Sequence, residues 1–264
     1  MSLMLTGSPM LIGAIVGDLD VAQLALIIFT LFFLGLVLYL QKESRREGFP
    51  LQNDGSDTPR DARTSFMPTP KTYRLAGGGV AAAPSTKRES QDIKARRVGP
   101  WHGAAHVPTG NPMLDAVGPA SYAQRADVPD RMQSGAPRIV PIRADHAYHV
   151  DDRDMDPVGM TVVGADGVKA GTVTDVWVDR AEAVIRYLEV GVGPRTVMLP
   201  MNFAASIHGA KRLITVNAIL GSQFANVPGL KNPDQVTLLE EDKIMGYYGG
   251  GLLYATPQRA EPVL

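Results

Sequence analysis

Twenty consecutive residues, 21 to 40, carry no charge and almost nothing polar: V-A-Q-L-A-L-I-I-F-T-L-F-F-L-G-L-V-L-Y-L. A helix rises 1.5 Å per residue, so such a run spans about 30 Å, the thickness of a bilayer's hydrocarbon core. A cleaved signal peptide is the competing explanation. No basic residue precedes the run, and the run is too long for a signal core. A buried helix in a soluble domain would be apolar on one stripe rather than on every face. The expectation is one transmembrane helix over 21–40 carrying a large polar remainder outside lipid.

Charge orients this helix. Lys and Arg are absent from residues 1 to 41, which hold only Asp18 and Asp20 as charged groups. Lys42, Arg45 and Arg46 follow at once, so the positive-inside rule puts this collar in the cytoplasm and the N-terminus outside. Tyr39 falls at the headgroup level, where an amphipathic ring is favoured. Tyr39, Lys42, Arg45 and Arg46 form the expected membrane-interface set, with lipids as partners.

Composition excludes several classes. There is no cysteine, hence no disulfide, thiolate metal site or thiol nucleophile. A net charge of −1 gives no support for a nucleic-acid partner, which calls for a basic excess.

Residues 43 to 141 hold twelve of the twenty prolines, among them Pro50, Pro59, Pro68, Pro70, Pro84, Pro100, Pro108 and Pro112. Proline removes a donor and restricts its predecessor, so no long helix fits here. A disordered linker is one reading. Phe49, Phe66, Tyr73, Trp101, Val107, Met113, Leu114, Val117 and Tyr122 recur along the stretch and favour another: an extended segment that gains order on a second protein's surface. From about Ile139 the pattern changes to short β runs near 138–142, 159–163, 169–179, 184–190, 196–199 and 213–216. Ala165-Asp166-Gly167 is a hairpin turn signal. Such runs between Gly, Asp and Pro turns predict a small antiparallel barrel or sandwich. Short helices are expected over 218–226 and 236–244. Gly77-Gly78-Gly79 and Gly249-Gly250-Gly251 lack the ending of a phosphate loop and read as flexible turns.

The most informative local pattern is residues 175 to 189. Period-two alternation puts Val176 and Val178 on one strand face and Asp175, Trp177 and Asp179 on the other. The following turn displays Asp179 and Glu182, with Arg186 four residues past Glu182. Two carboxylates beside a guanidinium can pass protons through intervening water, because like charges disfavour joint ionisation while Arg opposes that. A solvated turn with a surface ion pair is the plainer alternative. Other candidates are weaker. His102, His106, His146 and His149 lie in non-helical segments, and Asp151, Asp152 and Asp154 complete no convincing metal pattern. Lys87, Arg88, Lys94, Arg96 and Arg97 could face anionic headgroups or solvent. Ser206 and His208 make no triad, and no G-x-S-x-G elbow exists.

Taken together, the chain resembles the H subunit of the purple-bacterial photosynthetic reaction centre over nearly its whole length. The span runs into Tyr39-Leu40-Gln41 and then Arg45-Arg46-Glu47-Gly48-Phe49-Pro50-Leu51, similar to the family's R-R-E-G-Y-P-L. Pro70-Lys71-Thr72-Tyr73, Pro108-Thr109-Gly110-Asn111-Pro112 and Asp115-Ala116-Val117-Gly118-Pro119-Ala120-Ser121-Tyr122 follow in order. So do Asp175-Val176-Trp177-Val178-Asp179, Arg186-Tyr187-Leu188-Glu189-Val190, the stretch 236–244 (V-T-L-L-E-E-D-K-I) and the stretch 249–255 (G-G-G-L-L-Y-A).

The resemblance implies a single transmembrane helix plus a mainly-β cytoplasmic domain, a small antiparallel PRC-type β-barrel with short C-terminal helices. It divides the chain into a periplasmic segment 1–20, helix 21–40, a Pro-rich surface segment 41–138, a PRC-barrel-like domain 139–245 and a tail 246–264. It implies a non-enzymatic subunit of an electron-transfer complex in the bacterial inner or chromatophore membrane. That subunit caps the cytoplasmic face of the L and M subunits, shields the quinone sites and conducts protons to the secondary quinone. Bacteriochlorophyll, bacteriopheophytin, quinones and non-haem iron would reside on the partners, with none on this chain. A cytochrome subunit and a light-harvesting antenna are further implied neighbours. The family's proton-route residues match Asp179 and Glu182, with Arg186 as the nearby cation. Some members carry a surface histidine pair before the first barrel strand; residues 131–136 here (R-M-Q-S-G-A) have none, so the proton entrance is unassigned. The rival class is a membrane-tethered PRC-barrel adaptor for a soluble protein. A membrane-anchored hydrolase built on Asp179 and Glu182 lacks a nucleophile and an oxyanion device.

Overall fold

The apolar run begins as a helix because Asp20 caps it. The Asp20 carboxylate accepts the Gln23 amide N–H at 2.7 Å, and the Gln23 side chain accepts the Asp20 N–H at 3.3 Å, a reciprocal capping box. In the computed structural model, which describes residues 14–16, 19–49, 51, 67–75, 78–85 and 93–260, this helix, α1, covers Val21–Glu43 and continues as a 3-10 turn at Ser44–Arg46. Pro50, Pro59, Phe66, Gly77, Lys87, Arg88 and most of the 1–20 segment lie outside the described residues. Among the described residues α1 alone is long and apolar enough to cross a membrane. None of its side chains is buried within the chain, so its apolar faces are left for lipid. Its one mid-span hydroxyl, Thr30, donates to the Leu26 carbonyl at 2.8 Å, which satisfies it without water.

The chain divides into two compact units, Met1–Arg88 and Glu89–Leu264. In the first, strands β1 (Ala14–Val16) and β2 (Leu19–Asp20) pair just before α1, and β3 (Lys71–Arg74) pairs with β4 (Val80–Ala83) as an antiparallel hairpin. Gly78 and Gly79 take φ of +87° and +90° in the connection, as expected of a turn there.

The second unit opens with a hairpin of β5 (Ala95–Arg97) and β6 (His106–Pro108). Then come β7 (Ile139–Pro141), β8 (Thr161–Val163), β9 (Lys169–Asp179), β10 (Val184–Val192), β11 (Arg195–Pro200), β12 (Ala204–His208) and β13 (Leu213–Val216). These seven form one curled half-barrel sheet in the order β11-β10-β9-β8-β13-β12, with β7 paired to the far end of β9. The expected mainly-β domain is present. One detail differs from a purely antiparallel barrel: β8 and β13 run parallel. The Asp166-Gly167 turn forms as read, with Gly167 at φ +72° and the Asp166 carboxylate accepting the Val168 and Gly221 amides. Met160, Val162, Val176, Trp177, Leu188, Leu199, Ile214, Phe224 and Tyr248 belong to one buried apolar core around the sheet. Each large apolar side chain buried this way contributes about 1.5–3 kcal/mol. Met113, Val117 and Ala120 are also buried within the chain, so these residues of the Pro-rich segment pack on their own domain.

Two helix expectations need correction. Residues 218–226 form only a 3-10 helix, Gly221–Asn226. The helix α2 begins at Leu238, capped by Thr237 and Glu240, and runs on to Tyr254, past residue 245 and through Gly249-Gly250-Gly251. The glycines are contact points, not flexible turns. A Cβ at Gly246 would stand 2.8 Å from the Ala120 carbonyl oxygen, and one at Gly251 would stand 2.5 Å from that of Ala218. Bare backbone lets α2 lie against neighbouring main chain, which outweighs the glycines' poor helix propensity.

Tyr248, one turn earlier, stacks on Phe203 at 5.3 Å between ring centroids and meets Phe224 edge-on at 6.0 Å. Its hydroxyl is buried with no hydrogen-bond partner among the described residues. Tyr248→Phe is therefore expected to stabilise the domain by about 1 kcal/mol, because it removes an unsatisfied polar group. A lowered thermal midpoint for the detergent-solubilised chain would show that the hydroxyl is satisfied after all.

Candidate functional site

Where β9 ends and β10 begins, Asp179 organises the turn. Its Oδ1 accepts the amide N–H groups of Ala181 (3.0 Å) and Glu182 (3.3 Å), and Ala183 completes the reversal at φ +53°. β7 closes the other side, with Ile139 opposite Asp179. Arg138, the residue before β7, is thereby aimed at the same carboxylate. Its Nε donates to Asp179 Oδ1 and its Nη2 meets Oδ2, both at 2.8 Å, while Nη2 also reaches Glu182 Oε1 at 2.6 Å. Arg186 approaches from β10, with Nε 3.1 Å from Asp179 Oδ2 and Nη2 3.5 Å from Glu182 Oε2. The register explains its reach. Ile185 pairs with Val178 and Tyr187 with Trp177, so Arg186 sits in a bulge without an opposite residue.

Asp179, Glu182 and Arg186 are thus brought together as expected, but their exposure differs from expectation. Glu182 is 54 % exposed, whereas Asp179 is 0 % exposed and not displayed on the turn. Val176, Trp177 and Val178 are buried too, so the two faces of β9 do not separate into covered and wet sides. Burial disfavours the ionised Asp179 carboxyl. The hydrogen bonds from Arg138, the Ala181 amide and Arg186 outweigh it and hold the carboxyl below its ordinary value. Asp179 is therefore held as a carboxylate at neutral pH. Sequence reasoning missed Arg138, because no local pattern links position 138 to position 179.

A second acid stands near the first group. The Tyr187 hydroxyl donates to Glu241 Oε2 at 2.7 Å. Burial pushes the Glu241 carboxyl up, and its bond from Tyr187 and the charge of Arg186 offset that only in part. Arg125, Arg186, Tyr187, Glu241 and Asp242 line a cleft of about 530 Å³. Further along the same two strands, Arg143 bridges Asp175 and Glu189, each at 2.8 Å, and the Trp177 indole donates to Glu189 at 3.0 Å.

The weaker candidates stay apart. Among the described residues no group of three or more His, Asp or Glu is placed to hold a metal ion. Asp151 pairs with its neighbour Arg153 at 2.7 Å. Lys94 pairs with Asp115 at 2.6 Å. Of the membrane-interface set, Tyr39 and Lys42 are exposed on α1, while Arg45 and Arg46 lie in the turn that follows it.

A single apolar helix followed by a half-barrel β domain with a buried ionic cluster defines a single-pass membrane protein with a PRC-type domain. Residues 150–223 match the PRC-barrel domain, and residues 13–144 match the photosynthetic reaction centre, H-chain N-terminal region. The chain belongs to the photosynthetic reaction centre H-chain family. It is a reaction-centre subunit, of a kind that is pigment-free by nature and associates with the other subunits of the complex. The tethered adaptor unrelated to photosynthesis is thereby set aside.

Proposed function

We propose that this subunit, itself non-enzymatic, caps the cytoplasmic face of the L and M subunits, shields their quinone sites and delivers protons toward the secondary quinone. The N-terminus is then periplasmic and the β domain cytoplasmic, in a bacterial inner or chromatophore membrane. Bacteriochlorophyll, bacteriopheophytin, quinones and non-haem iron belong to the partners in this reading. The exposed hairpin β3–β4 supports the capping role. A lone two-stranded hairpin is marginal in water, and this one presents Tyr73 and Val80 to the outside, Val80 at 65 % exposure.

The observation that carries the relay is the balanced cluster of two carboxylates and two guanidiniums. A quinone reduced to quinol needs two protons, and a bare anion inside protein is costly. Glu182, half in solvent, exchanges protons with water. Asp179, ionised at neutral pH, offsets one guanidinium, so that Glu182 does not face two uncompensated positive charges. Arg186 touches Asp179 and Glu182 and also acts electrostatically on Glu241, which joins the two acidic positions into one charge-coupled unit. Arg138 is a positioning residue, holding Asp179 and Glu182 at fixed separation.

Glu182→Gln should slow the second, proton-coupled electron transfer to the secondary quinone by on the order of 10²-fold. The first electron transfer should be unaffected. Flash spectroscopy of the assembled complex across pH reads both steps. Unchanged second-step kinetics at every pH would remove Glu182 from the route.

A further inference from the structure

The Asp179–Glu182 cluster has an outer neighbour on a different segment. Residues 129–138 fold into a tight loop, in which the Met132 amide donates to the Ala136 carbonyl and the Arg138 amide to the Asp130 carbonyl, each at 2.8 Å. Gly135, at φ +85°, makes the reversal. The ends of the loop meet, so Asp130 is brought beside Arg138. Arg138 Nη1 stands 3.4 Å from Asp130 Oδ2, while its Nη2 reaches Glu182 Oε1 at 2.6 Å. One guanidinium fork holds two carboxylates that both meet water, the Asp130 side chain being 43 % exposed.

A carboxylate that collects protons from water needs an oxygen free of strong bonds and a next acceptor within reach of one water. The acids near the β9–β10 turn differ in this. Asp127 takes the Thr237 hydroxyl on Oδ1 at 2.9 Å and the Lys231 ammonium on Oδ2, and these bonds, that from Lys231 first, hold its carboxyl below the ordinary value. Asp145 is bound by Arg180 at 2.9 Å and by the Ala147 amide at 3.2 Å, and is held low in the same way. Asp130 is held more loosely. One oxygen accepts the Arg131 amide at 2.9 Å, and the other has the long contact with Arg138. Its charge also reaches inward, adding to the upward push of burial on the Glu241 carboxyl. Residues 131–136 supply no acid and no histidine.

We propose that Asp130 is a proton inlet of this subunit, taking protons from bulk water and passing them through bridging water to Glu182. This deepens the relay reading of Glu182 and rests on it. In each transfer the Asp130 carboxylate gains one proton from water and loses it to the Glu182 carboxylate, which restores the ionised inlet. Arg138 stays protonated and carries no proton itself; it fixes the two carboxylates on one fork.

The test is flash spectroscopy of the assembled complex at neutral pH. Asp130→Asn should slow the second, proton-coupled electron transfer about fivefold, less than Glu182→Gln does, because Glu182 keeps its own contact with water. Asp130→Glu should keep the rate, and imidazole added as a small diffusible acid should restore it in Asp130→Asn. A slowing that Asp130→Glu shares and imidazole does not relieve would mean a disturbed loop and overturn the inlet. Asp127→Asn should leave the rate unchanged; an equal loss there would mean that surface charge in general is responsible, which also overturns it. In the Glu182→Gln background Asp130→Asn should add no further loss, since the two act in series. An added loss would put Asp130 on a separate path and overturn the transfer to Glu182. Slowing in Glu182→Gln without slowing in Asp130→Asn removes the inlet alone, whereas no slowing in either removes the relay itself.

Discussion

Replacing Arg138 by methionine is expected to destabilise the β domain by about 3 kcal/mol at neutral pH, since it strands a buried carboxylate without its main counter-ion. Methionine keeps the apolar stem and removes the fork that grips Asp179 through two 2.8 Å contacts. Arg186 and the turn amides remain, which keeps the loss at the lower end of the range for broken buried pairs. The pH dependence has a definite sign. Asp179 has a carboxyl held below its ordinary value of 3.8, so its contribution is present above that value and lost as pH falls through the folded one. Without Arg138, burial dominates and the carboxyl moves up. The deficit of the variant should therefore be largest at neutral pH and shrink in acid, where the variant's raised Asp179 carboxyl takes up its proton while that of the parent stays ionised. Denaturant unfolding of the detergent-solubilised chain at neutral and mildly acidic pH measures this. An equal deficit at both values would mean that Arg138 acts through packing rather than charge.

Gly251→Ala should destabilise the domain by about 2 kcal/mol, although a Gly to Ala change inside a helix ordinarily gains up to about 1 kcal/mol. The new Cβ would stand 2.5 Å from the Ala218 carbonyl oxygen and 2.4 Å from Ile219 Cγ2, and the first of these neighbours is main chain. Gly251→Leu should cost about 3 kcal/mol or more and loosen α2 from residues 218 and 219. Gly249→Ala should cost less, since its nearest neighbour, the Pro119 carbonyl oxygen, would be 3.2 Å away. Thermal unfolding of the three variants ranks them. A stabilised Gly251→Ala would show that the helix can shift to make room, and that the close approach is dispensable.

Both predictions depend on pairings that no short window of sequence contains. The hairpin at 179–184 is legible from alternation and its turn residues, and it correctly gathers Asp179, Glu182 and Arg186 near one tip. It says nothing of Arg138, which lies 41 residues away and arrives only because β7 pairs with the end of β9. Burial of Asp179 follows from that same pairing. Reading Gly249-Gly250-Gly251 as a flexible turn followed from propensity alone. Propensity is a local quantity, and the backbone contacts that reverse it are not.

By itself the amino-acid order determined the membrane span, because twenty uncharged residues have one favourable environment whatever surrounds them. It also determined the Asp20 and Thr237 caps, the Asp166-Gly167 turn and the β periodicity of the domain, since each arises from interactions within a few residues. Tertiary structure decided the rest: which arginine grips Asp179, how far α2 runs, and which strand pair is parallel. Those outcomes rest on contacts between segments far apart in the chain, where charge and shape are matched only after the backbone has folded.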